Sequence, residues 1–132
     1  MSARTTLVLT DRAATPVAHN YEPDGDDANG VHLYSERSGV PAGRPSFSAS
    51  MKKSSGKIRQ ELRLAVPIVQ TQTVDGIAKP VIVRTAYVTV SATFSDVSLS
   101  QERNDAIGMM ASALSATSGQ VWNLLVNCED IY

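Results

Sequence analysis

The sequence has few of the residues on which catalysis, metal binding and cross-linking usually depend. It contains one cysteine and two histidines in 132 residues, so no disulfide can form within the chain. His19 and His32 do not stand at a catalytic spacing from Ser or Cys, and there is no glycine-rich phosphate loop and no Cys/His metal cluster. These absences indicate a protein that is not an enzyme, with no metal site and no cofactor.

Long apolar runs are missing as well. No segment approaches the roughly 18 apolar residues of a membrane helix, and the short apolar stretch near the N-terminus is too brief for a signal peptide. We therefore expect the product to stay soluble in the cytoplasm in which it is made. With 42% hydrophobic and 19% charged residues, the composition is that of a globular chain of one domain.

The first two-thirds of the chain shows the alternation typical of β-strands. Six segments are predicted as strands: residues 5–10, 14–19, 31–36, 46–53, 57–70 and 81–94. The first two of these predict an N-terminal hairpin within residues 1–20, and the sheet is expected within residues 31–94. Residues 21–30 are rich in Asp and Gly and predict a solvated loop, because their acids lack the spacing of a calcium-binding EF-hand.

The hydrophobic period changes in the C-terminal part, residues 98–132. Apolar residues recur there every three or four positions, which predicts a helix from about residue 100 to 116. Ser98 or Ser100 is expected to cap it, with Gln101 completing a capping box after Ser98. Gly119 ends the pattern, and residues 120–128 predict a second short helix. The fold class is therefore α+β, with an antiparallel sheet followed by two helices.

One face of the predicted sheet is polar and basic. Along three strands, residues at every second position share this face: Ser46, Ser48, Ser50, Lys52, Arg59, Glu61, Arg63, Tyr87, Thr89 and Ser91. Residues 46–63 contain five cations and one acid, a local charge of +4, although the whole chain carries −1. Cations neutralise phosphates, hydroxyls bond phosphate and sugar oxygens, and a tyrosine ring stacks on an unpaired base. The asymmetry of the whole set points towards RNA binding, whereas any single residue of it fits the solvated face of an ordinary sheet, and the pattern leaves both interpretations open.

The opposite face of the sheet is apolar and requires a cover. The two helices of the same subunit could supply it in a compact monomer. Alternatively, they could cover the sheet of a partner subunit, since self-association is common among small domains. The pattern of the sequence leaves both arrangements open.

Several short segments, in order along the chain, resemble the coat proteins of the leviviruses, which are single-stranded RNA bacteriophages. They are Ala28-Asn29-Gly30-Val31, then Gln72-Thr73-Val74-Asp75-Gly76 with Pro80-Val81, and finally Asp130-Ile131-Tyr132. The resemblance implies an N-terminal hairpin, a five-stranded sheet and an interlocked homodimer with a continuous ten-stranded sheet. It also implies an icosahedral shell around single-stranded RNA in the virion, and a dimer that binds one RNA hairpin to repress translation of the replicase.

The resemblance also assigns roles to residues. The RNA-binding positions are Ser48, Ser50, Lys52, Ser54, Ser55, Arg59, Glu61, Arg63, Tyr87, Thr89 and Ser91, with Tyr87 stacking on a base. Glu61 stands where a neutral hydroxyl is usual, and Thr89 stands where an amide is found. A capsid-contact loop is expected at Thr71, Gln72, Thr73, Val74, Asp75, Gly76, Ile77, Ala78 and Lys79. The alternative is a free-standing RNA-binding regulatory dimer that forms no shell.

Overall fold

A computed structural model describes residues 4–37 and 43–131 of the chain. It contains six strands and two helices: β1 Leu7–Thr10, β2 Ala18–Asp26, β3 His32–Ser35, β4 Ser46–Ser54, β5 Lys57–Val74, β6 Ile77–Ser95, α1 Ser100–Ser115 and α2 Gln120–Leu125. The strands form one antiparallel sheet in the order β1-β2-β3-β4-β5-β6. The chain divides into two compact units, Met1–Thr93 and Phe94–Tyr132. The single domain over residues 1–132 stays a prediction, and the predicted segments at residues 1–3 and 132 lie outside the described residues.

Strand β2 corrects two predictions. The second strand was expected at residues 14–19 and a loop at residues 21–30, but β2 runs from Ala18 to Asp26. It pairs with β1 through Ala18–Tyr21 and then with β3 through Glu22, Pro23 and Asp26. The turn-forming residues of this segment do not make a loop. The strand continues through them with a register shift between Pro23 and Asp26, where Gly25 has a φ of +90°. Because an irregular strand accommodates Pro and Gly, residues 21–26 belong to the sheet, which does not begin at residue 31.

Two hairpins are closed by two-residue turns of the same kind. Ser55 and Gly56 have φ values of +50° and +75°, and Asp75 and Gly76 have +52° and +78°. Positive φ at both central residues defines a type I′ turn, whose twist matches that of the flanking strands. The β-branched residues around Asp75 therefore continue the strand pairing up to the turn. The prediction that residues 71–79 have a loop conformation is wrong. Apart from the turn, these residues are the end of β5 and the start of β6.

The helices lie close to their predicted positions. Helix α1 ends one residue before the expected boundary, and α2 ends at Leu125 rather than at residue 128. The expected cap is wrong: the N-cap is Leu99, whose backbone N–H donates to Glu102 at 3.4 Å, while the Ser98 hydroxyl donates to the Ser95 carbonyl. Between residues 4 and 131, apart from 38–42, no helix is long and apolar enough to cross a membrane.

The described subunit has almost no core of its own. Among residues 4–37 and 43–131, the buried side chains are Tyr21 at 5% and Ser35 at 6% exposure. Neither helix contains a buried residue, and Val88 of the sheet is 54% exposed. Domains of this size normally bury about two-thirds of their unfolded surface. Among the described residues, many large apolar side chains are therefore exposed in the single chain.

Ion pairs organise the acidic N-terminal part. The His19 ring contacts the Asp11 carboxylate at 2.7 Å through Nε2 and the Glu36 carboxylate at 2.9 Å through Nδ1. These two carboxylates raise the pKa of His19 above its ordinary value of 6.5. The hydrogen bond from His19, helped by the backbone N–H groups of Val17 and Ala13, lowers the pKa of Asp11 to about 2. His19 thus joins the segment after β1 to the segment after β3.

The ion pairs of His19 with Asp11 and Glu36 predict that the folded protein is most stable at an intermediate pH. The stabilising contribution of His19 is complete below pH 6.5 and is lost as the pH rises through its raised folded-state pKa. That of Asp11 is present above pH 3.8 and is lost as the pH falls towards about 2. We expect thermal unfolding of His19→Gln to lack the loss of stability that the unmodified protein shows as the pH rises above 6.5. Parallel curves of Tm against pH for the two proteins would contradict this.

Gly76 and Gly108 have different backbone conformations, so replacing each by alanine should change the stability in opposite directions. Gly76 has a φ of +78° and no atom within 4 Å of an added Cβ, so Gly76→Ala is expected to destabilise by about 1 kcal/mol through backbone strain alone. Gly108 lies within α1 and is equally open, so Gly108→Ala is expected to stabilise by about 0.5–1 kcal/mol. Denaturant unfolding of both variants tests this, and the same sign for both would exclude it.

Candidate nucleic-acid interface

The β4–β5 hairpin separates a polar face from an apolar face. In its register Ser48 lies opposite Arg63, Ser50 opposite Glu61 and Lys52 opposite Arg59. Side chains directly opposite in an antiparallel pair share a face, so these six residues lie together, as the alternation predicts. The intervening pairs, Phe47 with Leu64 and Ala49 with Leu62, lie on the other face.

Gln60 is a polar residue on the apolar face. It lies opposite Met51, and its side-chain oxygen is buried without a hydrogen-bond partner in the part of the chain that the structure describes. A buried amide oxygen without a donor is costly. Whatever covers the apolar face would therefore need a hydrogen-bond donor for this oxygen as well as apolar side chains.

A cavity of about 370 Å³ opens on the polar face. One wall comes from the connection between β2 and β3, through Asp27, Asn29 and Val31. The other wall comes from the hairpin, through Ser50, Lys52, Arg59, Glu61 and Arg63. The sequence prediction missed the first wall. Asn29-Gly30-Val31 carried part of the resemblance, but nothing in the local pattern indicates that this connection approaches the hairpin.

Asp27 gives the connecting loop its shape. Its Oδ1 accepts hydrogen bonds from the backbone N–H groups of Asn29 at 2.8 Å and Val31 at 3.0 Å. Its own backbone N–H donates to the Val31 carbonyl at 3.0 Å. A side chain that bonds to nearby backbone in this way stabilises a turn. The Asp27 carboxylate is thus engaged in holding the cavity wall.

A second cavity, of about 470 Å³, lies beside the first, and the described residues that line it include no acid. Its lining residues are Lys52, Ser54, Ser55, Lys57, Arg59 and Thr93. Lys57 and Thr93 were absent from the predicted set, although Lys57 contributed to the local charge. Lys52 and Arg59 line both cavities. Three cations with three hydroxyls form a suitable environment for phosphate groups.

The predicted residues of β6 lie outside the two cavities. Tyr87, Thr89 and Ser91 alternate along the strand in phase with Thr93, and the Tyr87 ring is 76% exposed. An exposed ring is available to stack on a base. Ser48 joins the group through its position opposite Arg63. The other seven predicted RNA-contacting residues line one cavity or both.

Glu61 and Arg63 form an ion pair within the first cavity. The Arg63 Nε–H donates to Glu61 Oε1, and the side chains are 67% and 30% exposed respectively. The remaining guanidinium N–H groups of Arg63 are therefore accessible to a ligand. A pair this exposed adds little to stability, so its main effect is to orient the carboxylate.

The comparisons with known proteins agree with this fold. The model of the family "Levivirus coat protein" matches residues 2–132. The capsid protein of Pseudomonas phage PRR1 is 44% identical over 127 residues, which is 96% of each chain. The virus-like particle of bacteriophage ESE058 superposes with a TM-score of 0.88 at 22% identity, over 99% of this chain and 100% of that one. The capsid protein of bacteriophage GA gives 0.78 at 22%, over 97% of both. The chain belongs to the levivirus coat protein family.

Family membership confirms the predicted fold class in its coarser form, an antiparallel sheet followed by two C-terminal helices. The residues of the expected capsid-contact loop are all exposed. Their role in assembly, like the RNA contacts of the polar face, stays a prediction.

Proposed function

We propose that this protein is a coat protein that dimerises and assembles into an icosahedral shell around single-stranded RNA. One observation carries the proposal: in this member of a coat protein family, Tyr21 is the one buried hydrophobic side chain among the described residues, and many large apolar side chains are exposed in the single subunit. Such a subunit requires assembly for stability. The role is structural rather than catalytic, in the virion, after synthesis in the cytoplasm of a bacterial host.

The edge of the sheet supports a second copy as the first partner. β6 is the last strand in the sheet order and is 19 residues long. Residues 85–95 contain no charge and no proline, so this edge lacks the features that normally prevent strand pairing. Two β6 edges related by a two-fold axis would join the two sheets into one. Strands β2 to β6 of each subunit would supply its ten strands, and β1 would stay paired with the first part of β2 as the N-terminal hairpin.

The exposed apolar residues support the interlocked form of this dimer. Met51 and Leu62 on the sheet are 59% and 39% exposed, and Ile107 and Met110 on α1 are 49% and 54% exposed. In the proposed dimer the helices of each subunit cover the apolar face of the partner's sheet. Such a cover removes both sets of side chains from water at once.

The polar face supports RNA as the second partner. It gathers Lys52, Lys57, Arg59 and Arg63 on two paired strands, with hydroxyls between them. In a closed shell this face would line the interior and neutralise phosphates of the genome. We further propose that the dimer binds an RNA hairpin at the start of the replicase gene and represses its translation. The exposed Tyr87 would stack on an unpaired base of that hairpin.

Electron microscopy of the purified protein, with its absorbance ratio at 260 and 280 nm, tests the proposal. Uniform closed particles containing nucleic acid are expected. A small dimer that binds RNA but forms no particles would favour the free-standing RNA-binding regulator instead.

The cover of the apolar face predicts an assembly defect in Val88→Asp. Val88 lies on β6 and is 54% exposed in the single subunit, and burying an unpaired charge in the dimer would be strongly unfavourable. We expect loss of particles, measured by size-exclusion chromatography and microscopy. Val97→Asp is the matched control, because Val97 follows β6 and is 82% exposed. Normal assembly of both variants would contradict the dimer.

The two cavities predict the effect of removing Arg59, which lines both. Arg59→Gln should weaken binding of single-stranded RNA regardless of its sequence. It should also reduce the slope of log K against log salt by about 0.7. Arg84→Gln makes the same charge change on β6 at a residue that lines neither cavity, and it should keep the full slope. Equal slopes for the two variants would show that Arg59 makes no phosphate contact.

A further inference from the structure

The first cavity is lined by two acids, Asp27 and Glu61, where a phosphate site would exclude them. Glu61 lies on β5 between Arg59 and Arg63, about 7 Å from each along the strand by the usual β rise. It lies opposite Ser50 and lines the cavity with both arginines. A carboxylate repels phosphate, and the adjacent cavity already offers three cations without an acid. The first cavity is therefore better suited to a group that donates hydrogen bonds.

Of the two acids that line the cavity, Glu61 is the one whose carboxylate does not hold the backbone of the connecting loop. Asp27 also lines the cavity, but its Oδ1 holds the β2–β3 connection through Asn29 and Val31. Glu61 Oε1 accepts from Arg63 Nε, and an ionised carboxylate has about four acceptor positions over its two oxygens. The ion pair thus sets the orientation of the carboxylate and leaves most of its acceptor capacity unused.

The bases of RNA differ in the donors that they present to a carboxylate. The Watson–Crick edge of guanine has two adjacent donors, N1–H and the N2 amine. Adenine and cytosine each place one amine beside an acceptor nitrogen, and uracil has one N–H between two carbonyls. Two adjacent donors match the two oxygens of a carboxylate, as in other bidentate contacts. Unpaired bases in single-stranded RNA are commonly recognised through this edge.

We propose that Glu61 is a specificity-determining residue that selects an unpaired guanine in the first cavity. The inference rests on the proposed RNA-binding function and adds the identity of the base. The Asn29 amide and the Ser50 hydroxyl, which line the same cavity, supply donors for guanine O6. Lys52 and Arg59 hold the flanking phosphates in the second cavity.

The test measures binding of the full-length protein to labelled hexauridine carrying guanine, adenine, cytosine or inosine at one central position. Fluorescence anisotropy of the unmodified protein should show guanine bound about five-fold or more tightly than adenine, the lower limit for a bidentate contact. Inosine, which lacks only the N2 amine, should lose part of that advantage. In Glu61→Gln the guanine preference should fall below about two-fold, because the bidentate contact is lost. The affinity for the adenine and cytosine oligonucleotides should rise, because an acid is removed near the phosphates.

Glu129→Gln is the matched control, because it makes the same charge change at an exposed residue outside both cavities. It should keep the guanine preference. Equal affinity of the unmodified protein for all four oligonucleotides, or an unchanged preference in Glu61→Gln, would overturn the base selection and leave RNA binding intact. Absence of binding to these oligonucleotides and to long single-stranded RNA would overturn the proposed RNA-binding function itself. The inosine comparison uses the unmodified protein and remains decisive if Glu61→Gln does not fold.

Discussion

The two-residue side-chain period of the β4–β5 hairpin is the constraint on which the rest of the structure depends. Its register places Lys52 with Arg59 on one face and Phe47 with Leu64 on the other. The type I′ turn at Ser55-Gly56 fixes that register. A slip of one residue would exchange the two faces and would present apolar side chains to RNA and charges to the proposed partner subunit. The two proposed roles of the protein therefore depend on one alignment of two strands.

The distribution of charge follows from the same division. The chain as a whole carries −1, and residues 46–63 carry five of its twelve cations. Many of the compensating acids lie in the N-terminal part, where they are held by His19, His32, Arg4 and Arg37. These pairs neutralise the acids locally, away from the basic cavities. Two acids line the first cavity: Asp27 holds the backbone of the connecting loop, whereas Glu61 lies among the cations of the hairpin. The position of Glu61 gives the face a chemical preference in addition to a charge.

The sequence predicted the features that depend on local periodicity. The polar face and the span of α1 followed from side-chain alternation at two and at 3.6 residues, and both agree with the structure. The predicted bounds of β2 and the predicted loop around Asp75 were wrong. Pro, Gly and Asp were taken as loop formers, but a shifted register and a two-residue turn accommodate them within the sheet. The cavity wall at Asn29 was missed because it depends on a contact between segments distant in sequence.

The described residues of the single subunit bury almost no side chains, and this affects how long the protein would persist at different stages of an infection. In the proposed dimer, native structure and association form one equilibrium, so stability increases with protein concentration by about 1.4 kcal/mol for each tenfold rise. Chains made early and in small numbers would then be the most accessible to host proteases. Chains made later, among many copies, would persist. The lifetime of the protein in the cell would thus be set by its own abundance.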